Sequence, residues 1–125
     1  MHETFGEDPY LCAALGVAYV RGLQGQDLSQ GVMATGKHFL GYAVPPGGLN
    51  TSAFEAGARI SRDLFAYPFE AAIRLAGLRS VMNSYADTDG IPAGRLYPTT
   101  AADQARYCPG GGCQSSARSR PDIYG

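Results

Sequence analysis

No apolar run in the sequence approaches the roughly 20 residues that a membrane-spanning helix needs, so nothing in it reads as a span. Charge is scarce at 17% of residues and nearly cancels to a net −1, which gives no electrostatic case for nucleic acid. Cysteines are three, Cys12, Cys108 and Cys113, and they cannot all pair within the chain. Cys12 falls on a helical apolar face and reads as a small core residue. The start, Met1-His2-Glu3-Thr4, has neither a basic region nor an apolar h-region, so no signal peptide is expected there. A metal site would need three or four convergent ligands. His2, Glu3 and His38 are the only clustered candidates, no paired histidine spacing exists, and Cys108 with Cys113 lacks the second pair of a zinc knuckle. No metal or other cofactor is called for.

What is present is a globular composition: 45% hydrophobic over 125 residues, enough for one domain or part of a larger one. The chain is organised around Lys37-His38-Phe39-Leu40-Gly41-Tyr42. The apolar run Val32 to Gly36 before it reads as a buried strand over 32–38, and Ala43-Val44-Pro45-Pro46-Gly47-Gly48 after it must be loop. A cation and an imidazole thus stand side by side where a strand gives way to a loop. In parallel α/β proteins that is where ligands bind. The competing reading is a solvated lysine and a satisfied histidine at an ordinary strand end, and spacing does not separate the two.

The flanking elements follow from local chemistry. Asp8 suits a helix cap and Pro9 the first helical position, because its missing N–H had no intrahelical partner to lose. Leu11, Ala14, Leu15, Ala18, Tyr19 and Leu23 recur at helical steps, giving an amphipathic helix over 9–24 that Gly25 ends. Pro45 to Ala58 has no period and reads as a long loop, a class that is usually functional in compact domains. Ser61 or Asp63 is a candidate cap for a short helix, and Pro68 for the start of a second. Phe65, Phe69, Ala72, Ile73 and Ala76 supply the apolar face and Gly77 the stop. Ser80 to Tyr85 reads as a second strand, and Asp87-Thr88-Asp89-Gly90 as a turn. Helix, strand, helix, strand fits an α/β protein with two consecutive parallel units of a sheet or barrel.

Residues 93–125 differ in character. Arg95, Arg106, Arg118 and Arg120 outweigh Asp103 and Asp122, branched aliphatics nearly vanish, and Cys108-Pro109-Gly110-Gly111-Gly112-Cys113 breaks any period. A disordered or aberrant C-terminal tail is expected there, and 1–92 as the organised part.

Gly31 to Lys37 has the glycine and lysine spacing of a phosphate-binding loop. However, His38 stands where that loop needs Ser or Thr, and Val32 to Thr35 reads as strand rather than as a turn opening a helix, so the match is coincidental. Glycoside chemistry asks for two carboxylates and groups that bind sugar hydroxyls. Lys37 and His38 suit the second task, and Asn83 and Tyr85 add hydrogen bonding and an aromatic edge after the next strand. Asp87 and Asp89 fit turn chemistry better than catalysis, while Asp63 and Glu70 lie in helix patterns, so spacing assigns no catalytic pair.

Several stretches together resemble glycoside hydrolase family 3, the β-glucosidase and β-xylosidase type. They are Glu3-Thr4-Phe5-Gly6-Glu7-Asp8-Pro9-Tyr10, Lys37-His38-Phe39-Leu40-Gly41-Tyr42, Gly47-Gly48-Leu49-Asn50, Pro68-Phe69-Glu70-Ala71-Ala72, Val81-Met82-Asn83-Ser84-Tyr85 and Asp89-Gly90-Ile91-Pro92. They run in unbroken order over residues 3 to 92.

The resemblance implies a retaining, exo-acting glycosidase that releases terminal β-linked glucose-like or xylose-like residues. It implies that residues 1–92 are about two β/α units of a (β/α)8 TIM-like barrel, and that 93–125 are not homologous. It also implies that Lys37, His38 and Tyr85 bind the terminal sugar, the partner being a carbohydrate. The family's nucleophilic Asp motif and its general acid have no counterpart here, so no catalytic residue is assigned and the chain alone is expected to be inactive. A change of reading frame or a chimeric join near Ala93 is the expected origin of the shift in composition. The alternatives are a non-catalytic sugar-binding remnant and the product of a non-functional truncated reading frame.

Overall fold

The computed structural model describes residues 3–93 and 114–115. Helix α1 spans Pro9–Gln24 as its sequence predicts. The Asp8 carboxylate accepts the Leu11 N–H at 2.7 Å and satisfies one of the amides that the first turn leaves unpaired. Gly25, at φ 63°, gives its N–H to the Arg21 carbonyl and ends the helix.

The face that α1 buries is not the one its leucines mark. Ala13, Val20 and Gln24 are buried, whereas Leu11, Leu15, Tyr19 and Leu23 are exposed. Cys12 is half-buried rather than core, and its thiol donates to the Gly6 carbonyl at 3.2 Å. Ala13 is buried, and Arg21 and Gln24 reach the last carbonyls of a neighbouring helix.

Strand β1, Thr35–Phe39, is shorter than the expected 32–38 at its start and one residue longer at its end. It runs parallel to β2, Ser80–Asn83, with Thr35 opposite Ser80 and Gly36 opposite Val81. The first pairing partner is Ser80, so Val32, Met33 and Ala34 have no strand opposite them among the described residues. The register shifts between Gly36 and Phe39. The Lys37–His38 peptide within that stretch and the Phe39–Leu40 peptide just after it are cis. Strand β5, Gln114–Ser115, adds in parallel on the far side of β2, giving the order β1-β2-β5. The rest of the expected low-order tail, 94–113 and 116–125, lies outside the described residues, with Cys108 and Cys113 in it; so does His2.

Between β1 and β2 the chain makes one continuous helical stretch instead of two separate helices. It comprises α2 (Gly57–Ile60), a π-helical segment (Ser61–Ala66) and α3 (Tyr67–Ala76). Ser61 does not cap anything. Its hydroxyl donates back to the Gly57 carbonyl at 2.8 Å, and Asp63 lies beside Arg59. Pro68 sits in the first turn of α3 and has no N–H to return to Leu64, and the wider π turn precedes it. At the other end Gly77 adopts the left-handed conformation (φ 64°, ψ 36°). Its N–H reaches the Ile73 carbonyl and the Leu78 N–H reaches Ala72, a Schellman closure that buries Leu78.

Helices α1 and α3 pack on the same side. The Arg21 Nη2 donates to the Leu75 carbonyl at 2.7 Å and the Gln24 Nε2 to the Gly77 carbonyl at 3.0 Å, so α1 side chains satisfy carbonyls that α3 leaves open. The core beneath is Val20, Ala34, Phe39, Ala66, Ala72, Leu78 and Val81, with Phe69 edge-on to Phe39 at 5.1 Å. Phe65, expected on the same face, packs instead edge-on to Phe54. The Asp87 to Gly90 turn joins two short antiparallel strands, β3 (Asp87–Thr88) and β4 (Ile91–Pro92).

Candidate functional site

The loops that follow β1 and β2 meet over the carboxyl ends of those strands. Two backbone bonds tie them: Phe54 N–H to the Asp87 carbonyl at 2.5 Å and Asp89 N–H to the Phe54 carbonyl at 3.2 Å. A third, Ser84 N–H to the Phe39 carbonyl at 2.7 Å, joins the strand ends themselves. Phe54 is 1% exposed and anchors the long loop, whose Pro46–Gly48 segment forms a 3₁₀ turn.

These ties leave a cavity of about 290 Å³. His38 and Tyr42 line it from β1 and the turn beyond, Asn50 and Ser52 from the long loop, and Ser84 and Tyr85 from the end of β2. Glu3, from the segment before α1, completes the wall. Aromatic rings beside hydroxyl and amide groups suit a ligand with apolar faces and a polar edge.

The sequence-expected residues come together here with different roles. The His38 ring lies 4.5 Å from that of Tyr42 and 6.5 Å from that of Tyr85. Lys37 does not line the cavity; its Nζ meets Glu3 Oε2 at 3.0 Å, while His38 Nε2 lies 3.8 Å from the same oxygen. Tyr85 is 67% exposed and stands at the mouth. Asn83 is not among the lining residues, and its amide donates to the Ser84 carbonyl at 2.9 Å. Asp87 and Asp89 are turn residues outside the cavity wall. Among the described residues no three His, Cys, Asp or Glu side chains are grouped to hold a metal ion.

Electrostatics keeps His38 neutral at neutral pH. Burial pushes its pKa below the ordinary 6.5, the neighbouring Lys37 ammonium pushes the same way, and the Glu3 carboxylate only partly opposes them. A neutral imidazole has one donor and one acceptor nitrogen. His38 Nδ1 is buried and finds no hydrogen-bond partner among the described residues.

Nothing in the sequence pattern marks Glu3, Tyr42, Asn50 or Ser52 as lining residues, yet all four line the cavity. In the sequence Glu3 stands out only as a candidate metal ligand, and its partner Lys37 lies 34 positions away, beyond any local periodicity. Tyr42 was visible in the organising stretch, but nothing in spacing distinguishes a lining ring from a loop ring.

Residues 1–101 match the family described as Glycosyl hydrolase family 3 N terminal domain. The chain belongs to glycosyl hydrolase family 3. A beta-xylosidase of Formosa agariphila is 42% identical over 96 residues, covering 74% of this chain and 13% of that protein. A lysosomal beta glucosidase of Dictyostelium discoideum is 35% identical over 104 residues, 78% of this chain and 13% of that protein. Among solved structures, a beta-glucosidase from Listeria innocua in complex with isofagomine superposes with a TM-score of 0.74 at 31% identity. The superposition covers 84% of this family 3 chain and 15% of that one. The same enzyme is also solved in complex with glucose. The relatives are thus named as glycosidases, and this chain spans 13% of the length of the first two.

Proposed function

We propose that this chain forms about two β/α units of a (β/α)8-type barrel and supplies one wall of the sugar-binding site of a retaining, exo-acting β-glycosidase. The observation that supports the proposal is that His38 and Tyr85 line one cavity at the carboxyl ends of parallel strands, with the Lys37 ammonium paired to Glu3, which lines the same cavity. In this reading the Lys37 ammonium and the His38 imidazole donate to or accept from hydroxyls of a terminal glucose-like or xylose-like ring. Tyr85 covers a face of the ring. These hydrogen bonds strengthen as the ring flattens toward an oxocarbenium ion.

Hydrolysis with retention needs two carboxyl groups about 5 Å apart across the scissile bond. Among the described residues Glu3 is the one carboxylate in the wall of this cavity, and it is engaged with Lys37. The chain alone therefore binds sugar and does not cleave it; the reacting carboxylates belong to other parts of a longer enzyme.

Saturation-transfer NMR of D-glucose and D-xylose against the 125-residue chain tests this, together with turnover of aryl β-glucoside and β-xyloside. Transfer to at least one sugar, lost in Lys37→Ala and in His38→Ala, with no turnover, is the expected result. Absence of transfer to either sugar overturns the binding role. Turnover by the chain overturns the division of labour.

A further inference from the structure

Glu3 precedes α1, whereas Lys37 and His38 stand near the end of β1, yet one carboxylate oxygen faces both. Glu3 Oε2 is 3.0 Å from Lys37 Nζ and 3.8 Å from His38 Nε2, and Glu3 itself lines the cavity. Its backbone has φ 62°, a left-handed conformation that few residues other than glycine adopt and that tends to persist where surrounding structure imposes it.

An ion pair between side chains 44% and 50% exposed contributes little to folding, because water already solvates both charges. Its effect is on geometry. The lysine stem has four freely rotating bonds, and a fixed carboxylate selects the rotamers that hold the ammonium beside His38. The same carboxylate offsets the repulsion that the ammonium exerts on any proton at His38.

Resting on the sugar-binding reading above, we propose that Glu3 is a positioning residue: it holds the Lys37 ammonium at the cavity rim beside His38, so that both address one sugar ring. Among the described residues, the charged and titratable groups around His38 are then Glu3 from the leading segment, Lys37 from β1, Tyr42 from the turn after it and Tyr85 from the end of β2.

The test uses the full 125-residue chain with Glu3→Gln, Lys37→Ala and the double variant. It has two readouts: the NMR titration midpoint of the His38 imidazole, assigned with His38→Asn, and affinity for glucose or xylose. Glu3→Gln should lower the His38 midpoint, because the one contribution that raises it is gone. Sugar affinity should fall about tenfold, as for loss of one well-oriented charged hydrogen bond. The double variant should bind no more weakly than Lys37→Ala alone, within about twofold, since Glu3 acts through Lys37. An unchanged His38 midpoint overturns the proposal, and so do fully additive losses of affinity. A Glu3→Gln chain that loses its thermal transition also overturns it, by assigning Glu3 to the fold. If the unmodified chain binds neither sugar, the sugar-binding reading fails on its own, and the His38 midpoint still decides whether Glu3 governs that ring.

Discussion

The ring of Phe54 occupies the space that a side chain at position 41 would need. Gly41 sits at φ 94°, and a Cβ built there would collide with the Cβ, Cγ and Cδ1 atoms of Phe54. Phe54 is also the residue through which the long loop bonds to the turn after β2. The contact therefore packs the long loop back on the turn that leaves β1, and seats the residue that ties this loop to the turn after β2.

Gly41→Ala should destabilise the chain by about 1–3 kcal/mol, through the strained φ and the overlap with a ring that has nowhere to go. Phe54→Ala should cost about 3 kcal/mol. The double variant should lose less than the sum, because removing the ring clears the space the new methyl needs. Urea unfolding followed by far-ultraviolet circular dichroism measures all three; strict additivity would mean that the two residues do not share that space.

The helix ends offer a second check. Asp8→Ala should cost about 1 kcal/mol by removing the acceptor for Leu11 N–H. Gln24→Ala should cost about 1–2 kcal/mol, since Gln24 is buried and its amide donates to the Ala76 and Gly77 carbonyls across the helix pair. The same unfolding curves apply, and a Gln24→Ala variant as stable as the parent would show that those carbonyls find other donors.

Stability should rise with pH through the region just below neutrality. His38 has a folded pKa below its unfolded value of about 6.5, so between the two values the unfolded chain binds more protons. The stabilisation from a neutral His38 is complete above 6.5 and is lost as pH falls through the unfolded value toward the folded one. The thermal midpoint should therefore drop between pH 7 and 5, and His38→Asn should flatten that part of the profile. An unchanged slope in His38→Asn would assign the dependence to other groups.

Tyr85 separates binding from folding. It is mostly exposed, so Tyr85→Ala should leave the unfolding midpoint within about 0.5 kcal/mol of the parent. Sugar affinity should fall several-fold, about 1 kcal/mol for the loss of one aromatic face, while Tyr85→Phe should retain most of it. Equal losses in both variants would point to the hydroxyl rather than the ring.

Much of the local structure was legible in the sequence because it is written in backbone chemistry. Asp8, Pro9 and Gly25 bound α1, Gly77 ends α3, and Asp89-Gly90 make the turn, each for reasons confined to a few neighbouring residues. The buried face of α1 was not legible. It is chosen by what α3 presents, and α3 presents open carbonyls that favour Arg21 and Gln24 over a leucine. The π turn before Pro68 was missed because the missing N–H does not by itself say whether a helix breaks or widens. Of the residues expected at the site, His38 and Tyr85 do line the cavity and were legible from strand ends and from the family's ordered segments, whereas Lys37 stands outside its wall, paired with Glu3. Glu3 was not legible, because an ion pair spanning 34 positions leaves no periodic trace.

Strand β1 is an outer strand, paired with β2 on one side and with no described strand on the other. It carries both Lys37 and His38. Among the described residues no strand pairs with its outer amides and carbonyls, and pairing there would stiffen the same backbone that carries Lys37 and His38. On the proposed sugar-binding reading, completing the sheet and holding a sugar are thermodynamically linked: a strand that raised affinity at the site by pairing with that edge would itself pair more tightly, by the same factor, when sugar is bound.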